Sequence, residues 1–214
     1  LHTLNNSSYH RFFDYPNYCS VNEFISSIIL VNSNKRAQII NFILEDVDDR
    51  FAKALVKVYS RILFRFTKGL SNRGAMPIHI MLEEAHRYVQ KDLDNTILGY
   101  NIFERIAKEG RKFGLILDLI TQRPTELSET VISQCSNFLI FKINHPTDLE
   151  YIRKMVPNIS ADVIEKQKTL QSGTCVAFGP MMKIPTIVKM DLPSPEPHSA
   201  NAKIYQKWMV EWKQ

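Results

Sequence analysis

Cysteine is scarce: the 214 residues contain three, Cys19, Cys135 and Cys175, and no C-x-x-C pair. An odd number at wide spacing argues against a disulfide framework and a zinc site, and fits a reducing, cytoplasmic setting. No apolar run approaches the roughly 20 residues that span a bilayer, and the opening Leu1-His2-Thr3 lacks the basic and apolar regions of a signal peptide, so no membrane is expected. Residue 1 is not Met, which leads to the expectation that the chain starts inside a longer one. Internal repeats and long low-complexity tracts are also missing. What is present, 44% hydrophobic and 23% charged residues, is the make-up of an ordinary globular domain able to bury a core. Lys and Arg total 27 against 22 Asp and Glu, and this net charge of +5 favours a polyanionic partner without identifying one.

The first stretch, residues 1–36, is polar and aromatic, and only Phe24 to Val31 is periodic enough for a short helix or strand. From Ala37 the pattern sharpens. Ile39, Ile40, Phe42, Ile43 and Leu44 read as a buried strand running into Glu45-Asp46. A helix capped by Asp48 or Asp49 follows, with Phe51, Leu55, Val58, Tyr59, Ile62 and Phe66 at helical spacing until Gly69. Pro77 to Leu82 predicts a second strand, Ile102 to Ala107 a helix closing at Glu109 to Gly114, and Leu115 to Ile120 a third strand. Ser128 to Cys135 reads as a short helix and Phe138 to Ile143 as a fourth strand. Strands alternating with helices, with polar residues at the strand C-terminal ends, predict an α/β doubly wound parallel sheet whose site lies along that edge. Thr174 to Phe178 and Ile184 to Met190 read as paired strands joined at Gly179-Pro180. Pro193, Pro195 and Pro197 form a stiff linker, and a C-terminal amphipathic helix carries Ile204, Tyr205, Trp208, Met209 and Trp212 on one face.

Three constellations carry chemistry. Glu83 and Glu84 end an apolar strand, where one carboxylate, Glu83, can hold Mg²⁺ through water and the other, Glu84, can polarise a water attacking a γ-phosphate. Side-chain alternation along a strand would give the two different tasks. The bland alternative is that adjacent Glu residues open a helix and complement its dipole. His86 reads as a hydrogen-bonding structural residue, since no second His stands at metal spacing. Thr121-Gln122-Arg123-Pro124 would bring the Gln122 amide beside the carboxylates if the two strands are neighbours. In Gly110-Arg111-Lys112-Phe113-Gly114, the Arg111 guanidinium could neutralise transition-state charge, or simply form a solvated basic helix end.

Together these runs resemble a known family. Met81-Leu82-Glu83-Glu84-Ala85-His86, Arg105 through Gly114, Thr121-Gln122-Arg123-Pro124 and Ser133-Gln134-Cys135 are similar, in this order, to the second half of the ATPase core of HerA-type hexameric DNA-translocating ATPases, in the HerA/FtsK superfamily. The similarity continues more loosely through Ser172-Gly173-Thr174 to Ile184-Pro185 and into the Pro-rich tail. The resemblance implies a RecA-like P-loop NTPase core in its Walker B half, binding ATP and Mg²⁺. It implies Glu83 as the Walker B acid, Glu84 as the catalytic glutamate, Gln122 as the sensor that also contacts nucleotide, and Arg111 as a cis-acting arginine. It further implies a homo-hexamer acting on double-stranded DNA with a nuclease or sirtuin-like effector, in DNA end processing or antiviral defence.

One departure is large: the chain contains no G-x-x-x-x-G-K-[ST] motif, and Gly69 to Gly74 lacks the Lys-Ser/Thr end of a phosphate cradle. The Walker A loop is therefore expected upstream of Leu1. Residues 37–190 are expected to form the C-terminal half of the ATPase domain, 191–214 a Pro-rich linker and a helix that either reaches across a subunit boundary or packs on its own domain, and 1–36 part of a helical insertion. Arg73 and the loop from Arg87 to Leu98 are the pore-facing candidates. Two other readings fit the same residues. One is a conjugation- or packaging-type DNA pump. The other is a non-catalytic oligomerisation scaffold that has lost its nucleotide site.

Overall fold

The computed structural model describes residues 20–32, 35–90, 100–155 and 161–196. The linker beyond residue 196 and the C-terminal helix expected around Trp208 and Trp212 lie outside the described residues, as do residues 1–19. The chain divides into two compact units, Leu1–Cys135 with Pro146–Pro157, and Ser136–His145 with Asn158–Gln214.

In the first unit, helix α1 (Val21–Ile29) opens on a reciprocal cap that sequence reading missed. The Glu23 N–H donates to Ser20 Oγ, and the Ser20 N–H donates to Glu23 Oε2 at 2.7 Å. A short antiparallel pair, β1 (Leu30–Asn32) and β2 (Lys35–Arg36), follows. The strand expected over residues 37–44 does not form. Ile39 is 89% and Ile43 77% exposed, and neither takes part in a ladder. A buried parallel strand needs a paired edge and covered faces, neither of which this run finds within the described chain. Phe42 sets its ring 5.2 Å from that of Tyr59, which in turn stacks on Phe24.

Helix α2 (Asp49–Gly69) forms over the expected span but buries a different face, Val58 of the expected stripe being 54% exposed. Asp48 accepts from the Arg50 and Phe51 N–H groups, and Ala52, Ser60, Phe64 and Thr67 make the buried stripe. Strands β3 (Ile78–Leu82) and β4 (Leu115–Leu119) pair in parallel, from Ile78 opposite Leu115 to Leu82 opposite Leu119. Between them lies helix α3 (Ile102–Glu109), capped by the buried Asn101, whose Oδ1 accepts from the Phe103 N–H at 2.9 Å. A tight turn, Gly110–Phe113, leads to Gly114, whose φ of +77° and close approach to the backbone of Gly74 leave no room for a side chain. Phe103 and Ile106 of α3 and Leu115 of β4 build the core, closed by Phe64 edge-on to Phe113. Helix α4 (Glu129–Gln134) packs against α3, and helix α5 (Pro146–Met155) follows in the same unit. On the opposite face of the pair, Asp118 finds its partner in His79, with Nδ1 to Oδ2 at 2.7 Å, so the carboxylate inside β4 sits at a wet surface rather than in a core.

The second unit holds the fourth expected strand. Strand β5 (Phe138–Phe141) does not extend the parallel pair but runs antiparallel to β6 (Thr174–Phe178), which pairs on its other side with β7 (Thr186–Lys189). Helix α6 (Ala161–Lys168) is tied to this sheet by the buried Gln167 amide, which donates to Ile140 O at 2.7 Å and to Phe141 O. Among the described residues no helix is long and apolar enough to cross a membrane.

Candidate active site

The two carboxylates follow the end of β3 at Leu82, and the ladder there is irregular. The Ile120 N–H donates to Leu82 O and the Ala85 N–H donates to Ile120 O, both at 2.9 Å. A regular parallel ladder would use residue 84 for the second bond, so the chain carries one residue too many and bulges. Glu84 absorbs it by adopting φ 50°, ψ 44°, the one left-handed residue other than glycine among those described. This conformation costs a non-glycine residue on the order of 1–3 kcal/mol and persists where surrounding structure enforces it. The enforcement is visible. Ala85, Tyr88 and Val89 are buried, Gln90 bridges to Leu127, and the Ser128 N–H donates to Val89 O at 2.9 Å. Arg87 reaches Asp49 Oδ1 at the start of α2 through Nη2 (2.7 Å) and Nε (3.1 Å). The Asp49 carboxyl is held below its ordinary range first by hydrogen bonding to Lys53 and then by Arg87.

Glu83 and Glu84 thus differ in backbone, Glu84 being left-handed, and no α-helix opens directly after them. Only a three-residue turn, Ala85–Arg87, follows, and Glu84 makes no side-chain cap to it. Glu83 is exposed. Glu84 Oε1 accepts from Gln122 Nε2 at 3.4 Å, which brings together the ends of the two neighbouring strands. Glu84 Oε2 lies 3.3 Å from His86 Nδ1, itself 3.1 Å from Thr121 Oγ1. His86 is hydrogen-bonded, as expected of it from the sequence, and its place is beside Glu84. Strands in register would set residue 121 opposite residue 84, and it is the bulge at Glu84 that brings His86 there instead.

Arg111 is not brought to this edge. It is exposed in the turn before Leu115, the residue opposite Ile78, so it stands at the N-terminal end of the parallel pair. The pair's five residues separate the two ends by roughly 13 Å at about 3.3 Å per residue. The geometry therefore does not set Arg111 beside the Glu84 carboxylate of the same chain. Of the pore candidates, Arg87 is engaged by Asp49, Arg73 is exposed with its guanidinium 5.7 Å from the Phe113 ring, and residues 91–98 lie outside the described residues.

Among the described residues no three His, Cys, Asp or Glu side chains gather as a metal cage. An exposed carboxylate at a strand end fits Mg²⁺ of the kind that keeps several waters and takes its remaining ligands from phosphates.

The left-handed turn makes a stability prediction. Glu84→Gly is expected to leave the melting temperature unchanged or raise it, within about 1 kcal/mol, because glycine takes φ 50° without steric cost. A thermal melt checks this, and a loss beyond about 2 kcal/mol would mean that the carboxylate helps hold the fold rather than being held by it.

A parallel strand pair that ends in carboxylates and an amide and is backed by helices is an α/β arrangement of the P-loop NTPase kind. The chain is 36% identical over 179 residues to the DNA double-strand break repair helicase HerA of Saccharolobus solfataricus, covering 82% of this chain and 35% of that protein. With other proteins named HerA at 31–35% identity, it is a HerA homologue. The chain spans about a third of the length of these relatives where it aligns most fully. No profile of a known protein family matches it.

In fold it resembles the genome packaging NTPase B204 of Sulfolobus turreted icosahedral virus 2, solved with ATP-gammaS. The TM-score is 0.55 at 22% identity, over 82% of this chain and 74% of that one. It also resembles VirB4 of Thermoanaerobacter pseudethanolicus, with a TM-score of 0.53 at 14% identity, over 71% of this chain and 40% of that one.

Proposed function

We propose that the full-length protein is an ATP-hydrolysing motor that moves double-stranded DNA through a homo-hexameric ring, with a nuclease or sirtuin-like effector as partner. Residues 37–190 would supply the C-terminal half of its ATPase domain, with the phosphate-cradling loop outside this chain and residues 191–214 reaching a neighbouring subunit. The observation that carries this reading is Glu84, forced into a left-handed turn at the end of a parallel strand with the Gln122 amide in reach. In it Glu84 orients the attacking water and takes its proton, while Gln122 holds that carboxylate and senses the γ-phosphate. Glu83 faces Mg²⁺ through water, and the ion would neutralise phosphate charge when bound. Arg111, exposed at the far end of the strands, is suited to complete a neighbour's site in the ring rather than its own.

A packaging- or conjugation-type pump is the second reading, favoured by the fold likeness to B204 and VirB4. Sequence favours the first, at 36% identity against 22% and 14%.

The test is Mg²⁺-dependent ATP hydrolysis by the full-length protein and its stimulation by duplex DNA. Gln122→Ala is expected to lower kcat by roughly 10-fold or more while the ATP affinity changes little, since the role assigned is felt in the transition state. Equal turnover with weakened affinity would move Gln122 from the chemistry to ground-state binding.

A further inference from the structure

We propose that His86 is a positioning residue for Glu84, with the Thr121 hydroxyl as its brace; this rests on the reading of Glu84 as the group that activates water. The imidazole is nearly enclosed, its side chain 13% exposed. It stands two residues past Glu84 in the turn that the buried Ala85 anchors. Its Nδ1 faces two oxygens, Glu84 Oε2 at 3.3 Å and Thr121 Oγ1 at 3.1 Å.

The chemistry of these neighbours selects the tautomer. An ionised carboxylate only accepts hydrogen bonds, so a lone pair on Nδ1 would face another lone pair. Thr121 Oγ1 already accepts from the Arg123 N–H at 3.0 Å and keeps a second acceptor position. A proton on Nδ1 is hydrogen-bonded to the Thr121 hydroxyl, which fixes the ring's plane, and stands at ion-pair distance, 3.3 Å, from the carboxylate oxygen it attracts.

Glu84 needs such a hold. Its left-handed backbone projects a flexible side chain from an open strand end, and a base works only when held close to its productive geometry. Gln122 restrains Oε1 and His86 restrains Oε2, so the two donors select one carboxylate orientation from many. They also divide the source of restraint. Gln122 belongs to the neighbouring strand end, whereas His86 lies on the same turn as Glu84 and meets that strand end only through its Thr121 brace.

The test compares three replacements in the full-length protein, each with kcat and KM for Mg²⁺-ATP and a thermal melt. His86→Asn places an amide N–H about where Nδ1 stood, His86→Gln carries its amide further out, and His86→Ala removes the donor. The expected result is a fall in kcat of roughly 10- to 100-fold for His86→Ala and His86→Gln, with KM nearly unchanged, and recovery of most of the rate by His86→Asn. Wild-type kcat in His86→Ala overturns the proposal. So does equal impairment of the Asn and Gln variants, which would make the ring a packing element; that pair decides the matter even if His86→Ala fails to fold. Glu84→Gln assayed alongside separates the two readings. If it turns over like the wild type, the role of Glu84 falls and that of His86 with it. If it is inactive while His86→Ala is fully active, only the positioning role falls.

Discussion

Duplex DNA is expected to bind the full-length protein with little sequence preference and with an affinity that collapses as salt rises. A ring contacting about six to ten phosphates loses on the order of 10³–10⁵-fold in affinity between about 50 and 200 mM salt, because each neutralised phosphate releases its counterions. The chain's net charge of +5 is modest, so the effect depends on where the cations are gathered rather than on their total. Arg87 is already engaged by Asp49, and its removal should therefore disturb the turn behind Glu84 more than the salt slope. Arg73, exposed in the loop before β3, is the better candidate for a direct phosphate contact. Titrations of duplexes of unrelated sequence over a salt series check this. A flat dependence, or strong preference for one sequence, argues against a motor that tracks phosphates.

Glu84→Gln is expected to reduce ATP turnover by about 10²–10⁴-fold, the range for loss of a general base, while leaving nucleotide binding largely intact. The amide keeps the size of the side chain but cannot take the proton of the attacking water. The turn itself should survive, because what enforces it is the burial of Ala85, Tyr88 and Val89 and the backbone bonds of Ala85 and Ile120. Glu83→Gln should behave differently. A carboxylate that meets the metal through water contributes to nucleotide affinity as well as to rate, so its loss should raise the requirement for Mg²⁺.

The local parts of this structure were legible in the sequence because they depend on local signals. Helix α2 announces itself by apolar residues at helical spacing after Asp48, and β3 and β4 by short apolar runs ending in Glu83-Glu84 and Thr121-Gln122. Non-local features were not legible. Residues 39–44 have the composition of a buried strand, yet a parallel strand is buried only when partners cover its edge and faces, and no run of side chains states whether those partners are at hand. Phe138 to Phe141 is a strand as predicted, but its antiparallel pairing with Thr174 to Phe178 depends on a segment more than 30 residues away.

In the site, the pairing of Glu84 with Gln122 follows from two adjacent parallel strands ending in register. The bulge at Glu84 had no sequence signal, since positive φ is ordinarily marked by glycine or asparagine and here falls on a glutamate. The far-end placement of Arg111 was hidden for a related reason. Its run precedes β4 rather than following it, and closeness in sequence to a site strand does not say which end of the strand is near.

The most direct measurement is the identity of the nucleotide left on the full-length protein after incubation with Mg²⁺-ATP and rapid separation from free ligand. The wild type is expected to carry ADP and to have released phosphate, and the Glu84→Gln protein to retain intact ATP in comparable amount. ADP and phosphate produced by both proteins at the same rate, or no nucleotide held by either, would contradict Glu84 as the water-activating group of an ATP-driven motor.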